Sequence, residues 1–485
     1  MEAAEQCDAI VVGSGFGGAV TAYRLAEAGR RVLLLEAGGP LPAELRDAGS
    51  LRAAVPGHPA TWDVRAVLAD GRSVRVPRGR VLGGSSAING GYFVRGTPAD
   101  FAGWAAAGND LWSYDAVLPA FRRLEDDRDY GSRPGHGTGG PVPVQRPLPG
   151  SPVVDAFAAA VDALGFPTEP DKNAGGEPGW GPIPMNVADG VRVDAATAYL
   201  RPRSGLTVRS GVQVRRVLVD RGRAVGVETG DGVVRAGEVV LSAGAVGSPH
   251  LLLLSGIGPA GVLRAAGLDV VADLPGVGAD VSDHPDVYLP WTPSRPLPPA
   301  PAPLHSALNT GDLELQPWLT PFPAVGTGGD LVLRLALQAE RSRGRLVLDA
   351  ADPTALPRIE QRYLTEEADR RRLRDGVRLA VELLRSPAVA PLVARRGGPS
   401  DDVLGDDAAL DSWLRRSIGT AVHLCGSARM GPESDPGAVV DQHLLVRGVE
   451  GLRVVDTSVL PTTPSRGPAA TAVLIGERAA ELLLG

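Results

Sequence analysis

The sequence predicts an α/β protein with a Rossmann-type parallel sheet, and three observations carry the prediction. An apolar run, Ala9-Ile10-Val11-Val12, reads as a short buried strand and leads directly into Gly13-Ser14-Gly15-Phe16-Gly17-Gly18. Residues 19–28 have the Ala, Leu and Glu content of a helix, and a second apolar run, Val32-Leu33-Leu34-Leu35, ends in Glu36, 18 residues beyond Gly18. Residues 239–244 resume a buried strand ending in small residues, which reads as a return of the chain to the same sheet.

Each part of this strand, turn, helix, strand and acid has a mechanical reason. Gly13 permits the tight turn, Gly15 lets backbone N–H groups approach a pyrophosphate, and Gly18 lets the helix pack close to the sheet. Phe16 and Gly17 stand at the helix start, whose positive dipole end favours phosphate. Glu36 can accept hydrogen bonds from a ribose 2′-hydroxyl and would repel a 2′-phosphate. The fingerprint therefore fits the ADP half of FAD or of NAD, and argues against NADP.

The next informative block spans residues 79–91, where Gly83-Gly84-Ser85-Ser86 can bring backbone donors against a flat ligand. Val81, Leu82, Ala87 and Ile88 anchor its two ends, which a flexible linker would not need. Residues 100–129 and 151–164 are helical in character. From 206 to 240 the period switches to two, which predicts paired strands with turns at 220–222 and 230–232. Strands are expected between 331 and 364, a charged helix over 366–384, a strand at 452–455 and a closing helix over 471–484. Prolines concentrate in 134–152 and 290–303, where irregular surface loops are expected.

At 485 residues the chain exceeds one compact core, so two domains are expected. A net charge of −7 with no long basic cluster makes nucleic acid an improbable partner. Cys7 and Cys425 lie in no metal or redox spacing, and no two of the seven histidines have metal-ligand spacing, so no metal is expected. The acidic start Met1-Glu2-Ala3-Ala4-Glu5 lacks a secretory pattern, and no apolar stretch approaches the ~20 residues of a membrane span. A cytoplasmic location follows as an expectation, with peripheral contact at the inner face of the membrane left open.

Five ordered blocks resemble the glucose–methanol–choline (GMC) family of FAD-dependent oxidoreductases. They are residues 79–96 (GRVLGGSSAINGGYFVRG), 244–258 (GAVGSPHLLLLSGIG), 274–285 (LPGVGADVSDHP), 423–431 (HLCGSARMG) and 448–476. The resemblance spans almost the whole chain and selects FAD over NAD. It implies a Rossmann-type FAD-binding domain from 1–100, 200–290 and 425–485. A second, α+β substrate domain with an antiparallel sheet would come from 101–199 and 291–424. Glu36 would bind the adenosine ribose, and Val214 would contact adenine through its backbone. Gly84, Ser85, Asn89, Gly90 and Tyr92 would line the pyrophosphate and isoalloxazine, with Asp456 and Thr457 closing over the flavin. Ile88, which has no nucleophile, implies FAD held without a covalent link.

The same resemblance makes His423 the active-site histidine, taking the hydroxyl proton of an alcohol as hydride leaves for flavin N5. A neutral imidazole suits that task near pH 7. His58, His136, His250, His305 and His443 read as ordinary core or surface residues, and His284 as the support of a loop. The family's usual second histidine or asparagine maps onto Ala469, which leaves His423 as sole base. Chain length and the wording of residues 89–93 resemble an actinobacterial subgroup associated with mycofactocin. That implies a small alcohol or reduced mycofactocin as substrate and a quinone or respiratory partner as acceptor. A peroxide-producing alcohol oxidase and a hydroxynitrile-lyase-like enzyme stand as alternatives.

Overall fold

The computed structural model describes residues 7–322 and 328–485; the acidic stretch Met1 to Glu5 and Pro323 lie outside them. The strand Cys7–Val12 runs parallel to Val32–Glu36, and the helix Phe16–Glu27 joins them. Ile10 and Val11 are fully buried, as four consecutive apolar residues in a sheet covered on both faces should be. Gly13 has φ +99°, and a Cβ there would stand 2.3 Å from the Ser242 carbonyl oxygen. A Cβ on Gly18 would stand 2.1 Å from the Gly13 oxygen, which is the close approach of helix to strand that its position requires.

The parallel part of this sheet runs Leu206–Ser210, Val32–Glu36, Cys7–Val12, Gly232–Leu241, and Leu452–Val454 pairs beside the last of these. Gly232–Leu241 is long enough to serve twice. Its first half forms an antiparallel meander with Arg223–Thr229 and Val214–Asp220, and its second half lies beside Cys7–Val12. The segment around Thr207 does not join that meander. It crosses to the far edge and pairs with Val32–Glu36, where Val32 N–H donates to Gly205 (2.7 Å).

A second sheet is antiparallel throughout, in the order Val393–Arg396, Pro285–Pro293, Leu331–Leu337, Leu313–Pro317, Ser306–Asn309, Trp180–Pro182. The helix Glu367–Arg385 lies on it through Leu373, Val377 and Ala380. Two large, separate apolar cores result, one around each sheet, with two smaller clusters beside them. A third sheet joins the hairpin Thr61–Val67 and Ser73–Gly79 to Arg345–Val347 and Arg358–Glu360.

Three local expectations are corrected. Pro290 and Pro293 lie in a central strand, because burial of Val287, Leu289 and Trp291 outweighs the missing N–H groups; the Pro290 carbonyl still accepts from Gly397 N–H (2.8 Å). Residues 142–144 of the other proline-rich segment also form a strand, parallel to Glu125–Asp127. The helical region after residue 100 divides into Pro98–Ala106, capped by Thr97 and Asp100, and Tyr114–Leu124. It stops at Leu124 because the next carboxylates are drawn into a buried ionic cluster. Glu125 pairs with Arg95 (2.6 Å), Asp127 with Arg146 (2.5 Å), and His136 lies between both acids and Asp171.

Glu125, Asp127 and His136 are also the one group of metal-ligand type among the described residues. Two guanidinium groups already neutralise it, and contacts to three carboxylates favour a protonated imidazole that offers no lone pair. Among the described residues, no helix is long and apolar enough to cross a membrane.

Candidate active site

A single cavity of about 730 Å³ runs from the glycine turn to the antiparallel sheet. Gly13, Gly15, Phe16, Gly17, Glu36, Gly84, Ser85, Asn89, Gly90, Tyr92, Val214, Asp456, Thr457 and His423 all line it. Gly18 does not; it lies behind the turn, holding helix against strand. Nothing stands within 4 Å of where a Gly15 Cβ would be, so the helix start opens on free space. Glu36 is buried and rigidly held: Oε2 accepts from Ser14 N–H (3.0 Å) and hydroxyl (2.6 Å), and Oε1 from Gly38 N–H (2.7 Å).

The far wall is tied to the same turn. Asp456 Oδ2 accepts from Gly244 N–H (2.9 Å) and the Ser248 hydroxyl (2.5 Å), and Oδ1 from the Ser458 N–H (2.9 Å) and hydroxyl (2.6 Å). Its carboxylate is thus consumed in holding the C-terminal segment against the helix that begins at Gly244. Thr457 donates to the Leu424 carbonyl (2.9 Å), which couples that segment to the loop carrying His423.

His423 sits on a strained loop. Val422 has φ +63°, an uncommon conformation for a β-branched residue. Arg78 holds it by donating to the Val422 carbonyl (3.0 Å), and the Val422 N–H donates to the Thr420 hydroxyl (3.0 Å). Asp283 anchors the next residue: Oδ1 accepts from His423 N–H (2.7 Å), and Oδ2 from Thr420 (2.5 Å), Gln361 (2.9 Å) and Tyr363 (2.9 Å). Burial pushes the Asp283 carboxyl up to about 6 despite these bonds.

His284 does more than support a loop. Its Nδ1 lies 2.9 Å from His423 Nδ1, with the rings edge to face, so one nitrogen donates and the other accepts. Burial holds the His284 imidazole down to about 3, aided by the Arg334 charge. Burial likewise holds His423 well below the usual histidine range, with His284, Arg334 and Arg78 acting in the same direction. Both rings are therefore neutral at pH 7. Behind His284, Glu340 Oε2 lies 3.8 Å from Nε2, and burial pushes that carboxyl well above its ordinary range.

The residue facing His423 across the cavity is Gly467, two positions before Ala469. A Cβ on Gly467 would stand 3.6 Å from His423 Cε1 and 3.7 Å from Nε2, whereas Ala469 opens the helix Ala469–Leu484. A glycine at this point offers no side chain to His423 and leaves space beside Nε2. Arg466 is turned away and buried against Glu169 (3.1 Å).

Family comparison decides what this cleft belongs to. Two family models, both described as GMC oxidoreductase, match residues 7–286 and 340–476. The chain belongs to the GMC oxidoreductase family. An uncharacterized GMC-type oxidoreductase from the thcA 5′ region of Rhodococcus erythropolis is 42% identical over 512 aligned positions, covering 100% of both chains. Oxygen-dependent choline dehydrogenase of Photobacterium profundum is 35% identical, over 99% of this chain and 93% of that one. The crystal structure of pyridoxine 4-oxidase from Mesorbium loti superposes with a TM-score of 0.91 at 32% identity, covering 98% and 99%.

This GMC protein is an FAD-dependent oxidoreductase acting on CH–OH donors. The residues present fit the cofactor: an open helix start at Gly15, a buried acid at the end of the second strand, and a cleft continuous from there to His423. Beyond His423 the cavity ends on residues that sequence reasoning missed, among them Tyr288, Glu314, Gln316, Trp318 and Arg334. Their signal was present in Leu313-Glu314-Leu315-Gln316, whose strict alternation puts both polar side chains on one face of a strand.

Proposed function

We propose that this GMC enzyme is a dehydrogenase that oxidises a small alcohol with His423 as base and passes the electrons to an acceptor other than oxygen. The observation that carries the reading is the His284–His423 pair, which occupies His423 Nδ1 and leaves Nε2 beside the space over Gly467. Gly13, Gly15, Phe16 and Gly17 would hold the pyrophosphate, Glu36 the ribose, and the Val214 backbone the adenine. Gly84, Ser85, Asn89, Gly90, Tyr92, Asp456 and Thr457 would enclose the flavin, held non-covalently because Ile88 offers no nucleophile. FAD, when bound, supplies the acceptor for hydride leaving the carbinol carbon.

With its Nδ1–H donated to His284, His423 carries a lone pair on Nε2 and takes the hydroxyl proton there. His284 accepts that bond on Nδ1 and so selects the tautomer, as a buried orienting partner does for a catalytic histidine. Asp283 keeps the loop in register through the backbone N–H of His423. The choice of acceptor rests on charge. A neutral His423 and an Arg334 already bound to Asp286 (3.0 Å) and Glu314 (2.9 Å) leave little uncompensated positive charge to stabilise superoxide. Reduced mycofactocin as substrate, a quinone-like acceptor and a cytoplasmic location complete the reading; short length and the wording of residues 89–93 support the first.

A peroxide-producing oxidase is the second reading, favoured by the names of the choline and pyridoxine relatives. An anaerobic panel of alcohols that includes choline and pyridoxine, followed by flavin absorbance near 450 nm, tests alcohol oxidation itself. Bleaching by at least one alcohol is expected, and a panel that leaves the flavin oxidised would overturn the reading.

A further inference from the structure

The antiparallel sheet closes the substrate end of the cavity with one polar and one aromatic surface. Along Leu313–Pro317, Leu313 and Leu315 enter the core while Glu314, Gln316 and, just beyond, Trp318 line the cavity. The Trp318 and Phe322 rings lie 4.5 Å apart and tilted, each with its centroid 6.3 Å from that of Tyr288. The three rings pack on one another and present an aromatic wall to the cavity, against which either a flat ring or a quaternary ammonium group could lie.

The polar groups separate those two occupants. A quaternary ammonium is held by aromatic faces with a carboxylate nearby, and the carboxylate that lines this end of the cavity, Glu314, is committed. Glu314 Oε1 accepts from Arg334 (2.9 Å), and its Oε2 accepts from Tyr92 (3.2 Å) and Asn309 (3.3 Å). Asp286 Oδ2 accepts from Arg334 (3.0 Å) and Tyr288 (3.1 Å); its Oδ1 has no partner among the described residues, but it is buried beside Gly419 and Asp286 does not line the cavity. Behind them Glu169 is shared by Lys172 (2.7 Å) and Arg466 (3.1 Å), so the charges balance over the whole network of three cations and three carboxylates.

Two donors, by contrast, are unmet. Gln316 is 2% exposed and Trp318 7%, and neither Gln316 Nε2 nor Trp318 Nε1 has a hydrogen-bond partner among the described residues. Buried donors are normally paired, and a site with unmet ones favours ligands that bring acceptors. A trimethylammonium group has none to bring.

We propose that this pocket selects an uncharged, planar ring alcohol bearing a hydrogen-bond acceptor, of the heteroaromatic kind, and discriminates against quaternary-ammonium alcohols. The ring lies against Trp318 and Phe322, and its acceptor takes the Gln316 or Trp318 N–H while the carbinol points to His423. This rests on the alcohol-oxidation reading above for the orientation of the carbinol, but ligand binding can be measured without turnover.

The test uses the FAD-loaded protein at pH 8, anaerobically, with 4-(hydroxymethyl)pyridine, benzyl alcohol and choline as ligands. Binding is read by calorimetry and by perturbation of the flavin spectrum, and oxidation separately by bleaching. The pyridyl alcohol is expected to bind about tenfold more tightly than benzyl alcohol, the value of roughly one hydrogen bond, and choline more weakly than either. Gln316→Leu and Trp318→Phe should narrow the gap between the two ring alcohols. Equal binding of the ring alcohols by the parent protein, tighter binding of choline, or no binding of any of them overturns the proposal. Binding in the expected order without bleaching would overturn alcohol oxidation and leave the pocket assignment standing. If a variant fails to hold FAD, the order of the three ligands on the parent protein still decides.

Discussion

Two neutral imidazoles in contact give His423 a pH behaviour unlike that of a free histidine. Its pKa is held well below 6.5, chiefly by burial, so the base form persists as the solution is acidified. The rate of flavin reduction under anaerobic stopped flow should stay level from about pH 8 down to about pH 6.5, where an unperturbed histidine would already be half protonated. A fall centred near that value would mean that the base is exposed and unperturbed. Replacing the base is a harsher change: His423→Asn should slow flavin reduction by roughly 10²-fold or more while FAD remains bound. Ile88 sets another expectation at this scale. Acid precipitation should leave the yellow colour in the supernatant, and colour kept in the washed pellet would reveal a covalent link.

Between elements, polar cores do the fastening. The carboxylate of Glu477, on the helix Ala469–Leu484, receives Arg24 from the helix after the glycine turn (2.9 Å) and Arg123 from Tyr114–Leu124 (2.9 Å). Breaking such a buried pair by removing one partner is costly because the other charge stays buried. The cluster around His136 behaves alike and carries a pH signature. Burial opposes its charge, yet hydrogen bonds to Asp127, Asp171 and Glu125 win and raise the imidazole to about 10. Since the folded value lies above the unfolded value of about 6.5, this contribution is complete below that pH and is lost as pH rises through the folded value. Thermal unfolding of the parent and of His136→Gln should therefore differ most near pH 6 and converge above pH 10. A gap that widened with rising pH would contradict a protonated His136.

At the scale of the whole molecule, the cavity joins two sheets with separate cores, and His423, the proposed base, lines it together with residues of both. The charge balance there bears on the acceptor. With Arg334 shared between two carboxylates and His423 neutral, oxygen should reoxidise the reduced enzyme much more slowly than a quinone-like dye. Stopped-flow reoxidation in air-saturated buffer, set against the dye, checks this. Faster reaction with oxygen would favour the oxidase.

Much of the nucleotide half was legible because its logic is local. A buried parallel strand shows as a run of apolar residues, a turn against phosphate shows as glycines, and the acid follows at a spacing set by one helix and one strand. The chain from Ala9 to Glu36 folds as that pattern requires, and all but Gly18 of the residues expected around the cofactor come to the cavity. The substrate half was not legible, because its residues meet only through long-range pairing. His284 and His423 are 139 residues apart, and Tyr92 and Glu314 are 222 apart. Counting along the sequence put the position beside His423 at Ala469, but the turn before the last helix presents Gly467 instead. Proline content suggested a loop where a central strand runs, since burial of alternate side chains outweighs a missing N–H. The sequence by itself determined the fold class and the FAD chemistry of the family, and it marked out the residues proposed to hold FAD and His423 as the proposed base, all of which depend on short contiguous motifs. Only the tertiary structure decided what stands behind that histidine and what faces it, because register between distant strands is a property of the packed core.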